Sequence, residues 1–186
     1  MHENPKLAAK VAKEAERSRV ELIRFWKNDS SHTPPAWSPR CDIYLFGSNR
    51  ELVLMTGGKP KAGSALAKQA RLMHGRVFYR RINLSADDVN LMRVTLPHEV
   101  NHIVVKDFGV IVPRWADEGM AMVAESDRSA LRRARSLRYA VKYGPFFRAK
   151  TLMRMRRYPG GGLTLLYYAQ SFALTRFFLE RGGPKR

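Results

Sequence analysis

The amino-acid sequence predicts an α+β fold, with a small sheet followed by a mainly helical half. Two segments rich in β-branched and aromatic residues, 41–46 and 75–84, indicate strands. From residue 85 onward the apolar residues recur with helical spacing, interrupted at prolines and glycines. Strands and helices thus occupy separate parts of the chain, which is typical of α+β proteins. The 186 residues suffice for one domain, 1–186, and are too few for two.

The first 40 residues, 1–40, predict a helix and a loop ahead of the sheet. Residues 5–28 carry an apolar stripe along one face, as an amphipathic helix does. Residues 30–40 contain three prolines among polar residues, which predicts an irregular connection. Between the two predicted strands, the segment 56–63 contains three glycines and a proline, and it predicts turns.

The helical half begins directly after the second predicted strand. Ser85 and Asp88 have the spacing of a capping box, which predicts a helix start at Ser85. Pro97 then either kinks this helix or opens a second one at its first position. The segment 110–113 ends the helical pattern, and a new helix is predicted from Arg114. Further along, a basic helical region, a glycine-rich break and a last helix are predicted over 128–157, 159–162 and 163–181.

The chain is strongly basic, with 34 Lys and Arg against 16 Asp and Glu and a formal net charge of +18. Such a charge attracts nucleic acid, anionic lipid, acidic polymers or acidic protein substrates. A solvated basic surface without a dedicated partner is the alternative. No recognised nucleic-acid motif is present, and aromatic residues do not interleave regularly with the arginines. The densest cluster of cations comprises Arg128, Arg132, Arg133, Arg135, Arg138 and Lys142.

The cysteine count and the hydropathy of the chain bear on disulfides, thiolate metal sites and membrane spans. Cys41 is the only cysteine, so the chain has neither an internal disulfide nor a cage of thiolate metal ligands. No apolar run approaches the length of a transmembrane segment. The N-terminus lacks the apolar stretch of a signal peptide. Because a signal peptide is removed from the mature protein, this leaves the cellular compartment open.

One motif carries clear chemistry, the H-E-x-x-H sequence at 98–102. His98 and His102 are one helical turn apart on the same face, so both imidazoles can bind one zinc ion. Glu99 lies beside that face and can contact a metal-bound water as a general base without binding the metal. The alternative is a pair of core histidines satisfied by ordinary hydrogen bonds.

A catalytic zinc site needs a third protein ligand and an open fourth position. Glu118 is the better candidate, because the 16 positions after His102 allow the first helix to end and a second to return alongside. His74, in a turn before a predicted strand, is the weaker one. Glu125 is two helical turns beyond Glu118 and shares its face, where it can orient a histidine ligand. The alternative for Glu125 is an exposed carboxylate.

H-E-x-x-H followed by W-x-x-E-G-x-A at 115–121 resembles the gluzincin zinc peptidases, and most closely the small bacterial peptidase MA-like domains. The resemblance covers 75–181 and implies a zincin-like fold with Glu118 as the third zinc ligand. It implies that Glu125 matches a further acidic position of related aminopeptidases. In Y-A-Q-S at 168–171, it implies that Tyr168 stabilises the oxyanion, with the neighbouring Tyr167 as the alternative for that role.

One departure from the family bears on specificity. Gluzincin aminopeptidases carry a glutamate ahead of the zinc helix that holds the free amine of the substrate, and the stretch 75–81 here has no acidic residue. An aminopeptidase is therefore disfavoured, and the arginines of this stretch favour an acidic substrate. The sequence predicts a zinc-dependent peptidase acting on peptides or proteins. The rival hypotheses are a nucleic-acid-associated zinc protein and a non-catalytic zinc-binding interaction domain.

Overall fold

The computed structural model describes residues 4–57, 65–71, 77–160 and 162–182. It confirms a mixed α+β architecture, mainly helical with a three-stranded sheet. The first half contains α1 (Pro5–Lys27), β1 (Cys41–Phe46), α2 (Asn49–Thr56), β2 (Ala65–Arg71) and β3 (Val77–Ser85). The second half contains α3 (Leu96–Asp107), α4 (Arg114–Val123), α5 (Asp127–Tyr143), α6 (Ala149–Arg154) and α7 (Thr164–Gly182).

The sheet has the strand order β1-β3-β2, with β3 in the centre. β1 runs parallel to β3, and β2 runs antiparallel to it. Ile82 and Leu84 of β3 are fully buried against the helices. β2 is the outer strand on one side of the three described, so its second edge has no strand partner among the described residues.

α3 is the central helix of the fold, because its apolar side chains fill the main core. Val100, Ile103 and Val104 pack in one cluster with the buried residues of β3 and α1. The indole nitrogen of Trp26 in α1 also donates a hydrogen bond of 2.7 Å to Asn101 Oδ1. The helix that carries the H-E-x-x-H motif is thus held between the sheet and α1.

One predicted helix boundary is wrong. Ser85 ends β3 instead of starting a helix, and its hydroxyl donates to Asp87. The helical run begins at Leu91 with a π-helical turn, Leu91–Thr95, and continues as α3 with Pro97 in its first turn. A capping-box spacing near a strand end is ambiguous, since short polar side chains also bond to each other in turns.

The structure also contains two elements that the sequence does not predict, α2 and β2. α2 is a short helix capped by Ser48, whose hydroxyl accepts from the Glu51 amide. β2 has little β propensity and is held by its pairing with β3, a case of tertiary contacts overriding local preference. The predicted turns at 56–63 lie mostly outside the described residues. The basic helical region divides into α5 and α6, because Gly144 and Pro145 interrupt it.

The remaining boundaries agree with the predictions to within a few residues. This holds for α1, β1, α4 and α7. None of the described helices combines the length and the apolar character needed to cross a membrane.

Candidate metal centre

The two motif histidines meet on α3 with their Nε2 atoms 3.2 Å apart. Each ring is oriented by a carboxylate on its other nitrogen. His98 Nδ1 is 2.9 Å from Glu125 Oε1, and His102 Nδ1 is 2.9 Å from Asp117 Oδ1. A proton on each Nδ1 satisfies these contacts, and loss of any Nε2 proton on metal binding would leave both Nε2 lone pairs directed at the same point.

Glu118 supplies a third ligand atom to that point from α4. Its Oε2 lies 3.5 Å from His98 Nε2 and 3.9 Å from His102 Nε2. Glu118 is buried, and the three ligand atoms are all within 4.8 Å of one another. Two imidazoles and one carboxylate are the donors of many three-ligand zinc sites.

The distances suit a tetrahedral ion of the size of zinc. Ligand atoms at about 2.0–2.1 Å from a tetrahedral zinc are about 3.3 Å from one another. The three observed separations of 3.2, 3.5 and 3.9 Å bracket that value. Small movements of the side chains would therefore bring all three atoms into coordination.

Gly119 explains how α4 comes close enough to place Glu118. A Cβ at this position would lie 2.6 Å from the Ser171 carbonyl oxygen and 2.0 Å from Thr175 Oγ1, both on α7. Only glycine leaves room for this approach of two helices. The glycine after the third ligand in W-x-x-E-G is thus a packing requirement.

Charges and burial shift the pKa values of two ligands. Burial lowers the pKa of His98, but hydrogen bonds to Glu118 and Glu125 and the charge of Glu99 outweigh it and raise the pKa to about 10. Burial raises the pKa of Glu118, yet the hydrogen bond to His98 and the charges of the histidines bring it below its usual value. The cluster of carboxylates around two imidazoles therefore stabilises a positive charge at its centre, as a bound cation would provide.

Two further side chains complete the surroundings of the ligands. The Tyr158 hydroxyl donates a hydrogen bond to Glu118 Oε1, the oxygen that does not face the histidines. Arg133 Nη2 of α5 lies 2.7 Å from Glu125, whose side chain is almost completely buried. Glu125 is thus paired on both sides, by an imidazole and by a guanidinium, which fixes its position.

The ligands line one wall of a cleft of about 660 Å³. Glu99 also lines it, and no hydrogen bond or ion pair engages its carboxylate among the described residues. Tyr168 lines the same cleft, whereas Tyr167 is fully buried beside it. Burial raises the pKa of Tyr168 to about 12, so its hydroxyl keeps its proton at neutral pH.

The cleft also has apolar and basic lining residues. Ala65, Leu66 and Ala67 of the outer strand β2 form part of its lining. Among the described residues, Lys106 and Arg114 supply lysine and arginine side chains to this lining.

Two other predicted groups are the alternative third ligand and the arginines of the second predicted strand. His74, the alternative third ligand, and Arg76 lie outside the described residues. Arg80 is buried, pairs with Asp107 at 3.0 Å and also donates to the Pro39 carbonyl. Arg81 lies over the ring of Tyr44 at 4.5 Å. Arg80 is therefore engaged within the fold, whereas Arg81 is exposed beside Tyr44.

Sequence reasoning missed Asp117, Tyr158 and Arg133. A carboxylate next to a predicted ligand on the same helix is a usable signal for Asp117. Tyr158 and Arg133 have no such signal, because they reach the site from elements whose packing the sequence does not reveal. The chain matches no known protein family, no curated protein and no solved structure. The chemistry of the site is thus the basis for inferring function.

Proposed function

We propose that this protein is a zinc-dependent peptidase of the gluzincin type, with a zincin-like fold. The observation that carries the proposal is the convergence of His98, His102 and Glu118 at a cleft that Glu99 also lines. Three protein ligands facing a cleft leave a fourth position for water, as catalytic zinc sites require. A structural zinc site is closed by four protein ligands and has no use for a carboxylate beside it.

The residues then have separate roles in amide hydrolysis. Bound zinc supplies Lewis-acid chemistry, since it polarises a carbonyl and lowers the pKa of water toward about 7. Glu99 accepts the proton of the attacking water on its carboxylate and delivers it to the leaving nitrogen. Tyr168 donates a hydrogen bond to the substrate oxygen that becomes negatively charged. The hydroxyl of Tyr158 is engaged with Glu118 and holds it in place. The hydrogen bond to the substrate oxygen is therefore assigned to Tyr168.

The strand at the cleft supports a peptide as the substrate. β2 is an outer strand, and its residues Ala65–Ala67 line the cleft across from the histidines. An extended peptide can pair with such an edge through its main chain, which binds many sequences with little preference for side chains.

The charges in the cleft bear on which peptides fit. Among the described lining residues, the acidic groups other than Glu99 are engaged with the histidines, so no carboxylate is left to hold a free amine. We therefore expect blocked peptides to be cleaved at least as well as peptides with a free N-terminus. Among the described lining residues, Lys106 and Arg114 are the ones that can attract acidic side chains of a substrate.

The test is hydrolysis of an unfolded protein substrate by the zinc-loaded wild type and by Glu99→Gln. The amide keeps the shape of the carboxylate but cannot accept a proton, so this variant should retain zinc and lose at least about 100-fold in rate. Glu21→Gln, an exposed glutamate of α1, is the matched control and should keep the full rate. Wild-type activity in Glu99→Gln would contradict the proposal.

A further inference from the structure

The outward face of α5 carries a row of cations on one side of the helix. Five of its six basic residues are separated by three or four positions, which places them on one face. These are Arg128, Arg132, Arg135, Arg138 and Lys142, all of them exposed. Asp127 is the only acidic residue in this helix of 17 residues. The sixth cation, Arg133, points inward to Glu125 and does not belong to the row.

Three large apolar or aromatic side chains lie in the same row. Leu131, Tyr139 and Tyr143 are 63%, 68% and 65% exposed. The rings of Tyr139 and Tyr143 lie one turn apart, with centroids separated by 5.3 Å. On this face of the folded helix, aromatic rings therefore lie between the cations. The order of residues along the chain does not show this arrangement.

We propose that this face of α5 binds single-stranded nucleic acid. Surfaces that bind single strands combine cations for the phosphates with exposed aromatic rings on which bases stack. Arginine suits the first task because its planar guanidinium matches phosphate geometry. The row from Arg128 to Lys142 is about 21 Å long, at about 1.5 Å per residue. That length matches about six stacked nucleotides at about 3.4 Å each.

The other anionic partners fit this face less well. A helix that lies in a bilayer surface buries an apolar face and holds its cations at the margins. Here Arg128, Arg135 and Lys142 occupy the centre of the exposed face. Duplex DNA presents phosphates to the cations but keeps its bases stacked inside, so the exposed tyrosine rings would gain no contact with them.

The test is the affinity of the full-length protein for a fluorescein-labelled 12-nucleotide single strand of mixed sequence, measured by fluorescence anisotropy. The variant Arg135→Glu with Arg138→Glu should weaken binding at least tenfold. Lys10→Glu with Lys13→Glu changes the net charge equally on the exposed side of α1 and should weaken binding less than threefold. Affinity should also fall steeply with salt, since bound phosphates release counterions. Circular dichroism checks that both variants remain folded.

A second pair of variants tests the stacking. Tyr139→Ala and Tyr143→Ala should each weaken binding to the single strand about tenfold. Equal losses in the α5 and α1 charge variants would overturn the proposal, because the attraction would then come from overall charge. Tighter binding to a duplex, or binding only to vesicles containing phosphatidylserine, would also overturn it. This inference stands independently of the metal centre, so loss of peptidase activity in Glu99→Gln leaves it untouched.

Discussion

At the scale of single residues, both histidines of the metal centre are held by a carboxylate on the nitrogen that faces away from the cluster. Asp117 holds His102, and Glu125 holds His98. Such partners fix the tautomer and the ring orientation and increase the basicity of the ligand nitrogen. The two carboxylates thereby hold the rings with their Nε2 atoms 3.2 Å apart.

Substitution of either outer carboxylate should weaken zinc binding without abolishing it. Asp117→Ala and Glu125→Ala should each lower zinc affinity about 10- to 100-fold, the usual cost of losing a hydrogen-bond partner of a ligand. Competition with a chromogenic chelator measures this affinity. Wild-type affinity in both variants would mean that the carboxylates do not position the ligands.

The hydroxyl of Tyr168 should matter for the rate and not for binding. Tyr168→Phe should lower kcat by about 100- to 1000-fold with little change in KM or zinc content, because it removes one hydrogen bond to the oxyanion. Tyr167→Phe is the matched control, since Tyr167 is fully buried and does not line the cleft. If the two variants lose equal rates, the role does not belong to Tyr168.

Residue spacing predicts more of this site than of its surroundings. His98, Glu99 and His102 follow from helical periodicity, and Glu118 follows from its distance along the chain. The prediction that Glu125 shares a helix face with Glu118 is wrong, because α4 ends at Val123 and Glu125 lies beyond it. The structure brings these residues together, while their roles in catalysis stay predictions. Tyr158 and Arg133 could not be found in this way, because helix periodicity says nothing about which distant element packs against the site.

At the scale of elements, the close contact between α4 and α7 positions the third ligand. Gly119→Ala should destabilise the fold by about 1–3 kcal/mol, because the added methyl group meets the Ser171 carbonyl and the helices must separate. Zinc affinity should fall as well, since Glu118 moves with α4. Urea unfolding and chelator competition measure the two effects.

A second glycine provides the control for this experiment. A methyl group added at Gly160 would have no atom within 4 Å, so Gly160→Ala should change the free energy of unfolding by less than about 0.5 kcal/mol. Equal stability of the two variants would contradict the packing role of Gly119.

Elements with strong local signals could be predicted, and those held by tertiary contacts could not. α1 has a continuous apolar face, an Asn4 cap and a left-handed Asn28 at its end. β1 is a compact apolar run. β2, in contrast, has the sequence of a helix or a loop and becomes a strand only because β3 offers it hydrogen-bond partners.

At the scale of the whole molecule, the candidate metal ligands come from different parts of the chain. His98 and His102 come from α3 and Glu118 from α4, while α5 reaches the site through Arg133. The sequence indicates such a meeting of α3 and α4 from the length of their connection. The sequence does not indicate how α5 approaches the site. Its basic residues cannot be distinguished by sequence, and only the fold shows that Arg133 points inward to Glu125.

If the proposed zinc binds ligands on both α3 and α4, its removal should destabilise the whole fold. At a free zinc concentration about 100 times Kd, bound metal contributes about 2.7 kcal/mol to stability. Chelation should therefore lower Tm by roughly 5–11 °C for a chain of this size. Differential scanning calorimetry with and without zinc measures the shift. No change in Tm would mean that the ion, if bound, does not hold α3 and α4 together.

The zinc content of the purified protein tests the central claim most directly. Wild type, loaded with zinc and dialysed, should contain one zinc per chain by elemental mass spectrometry, because three ligand atoms converge on one point. His98→Ala and Glu118→Ala should retain far less than one zinc per chain after the same dialysis. Wild type without zinc, or zinc content unchanged in both variants, would contradict the metal centre.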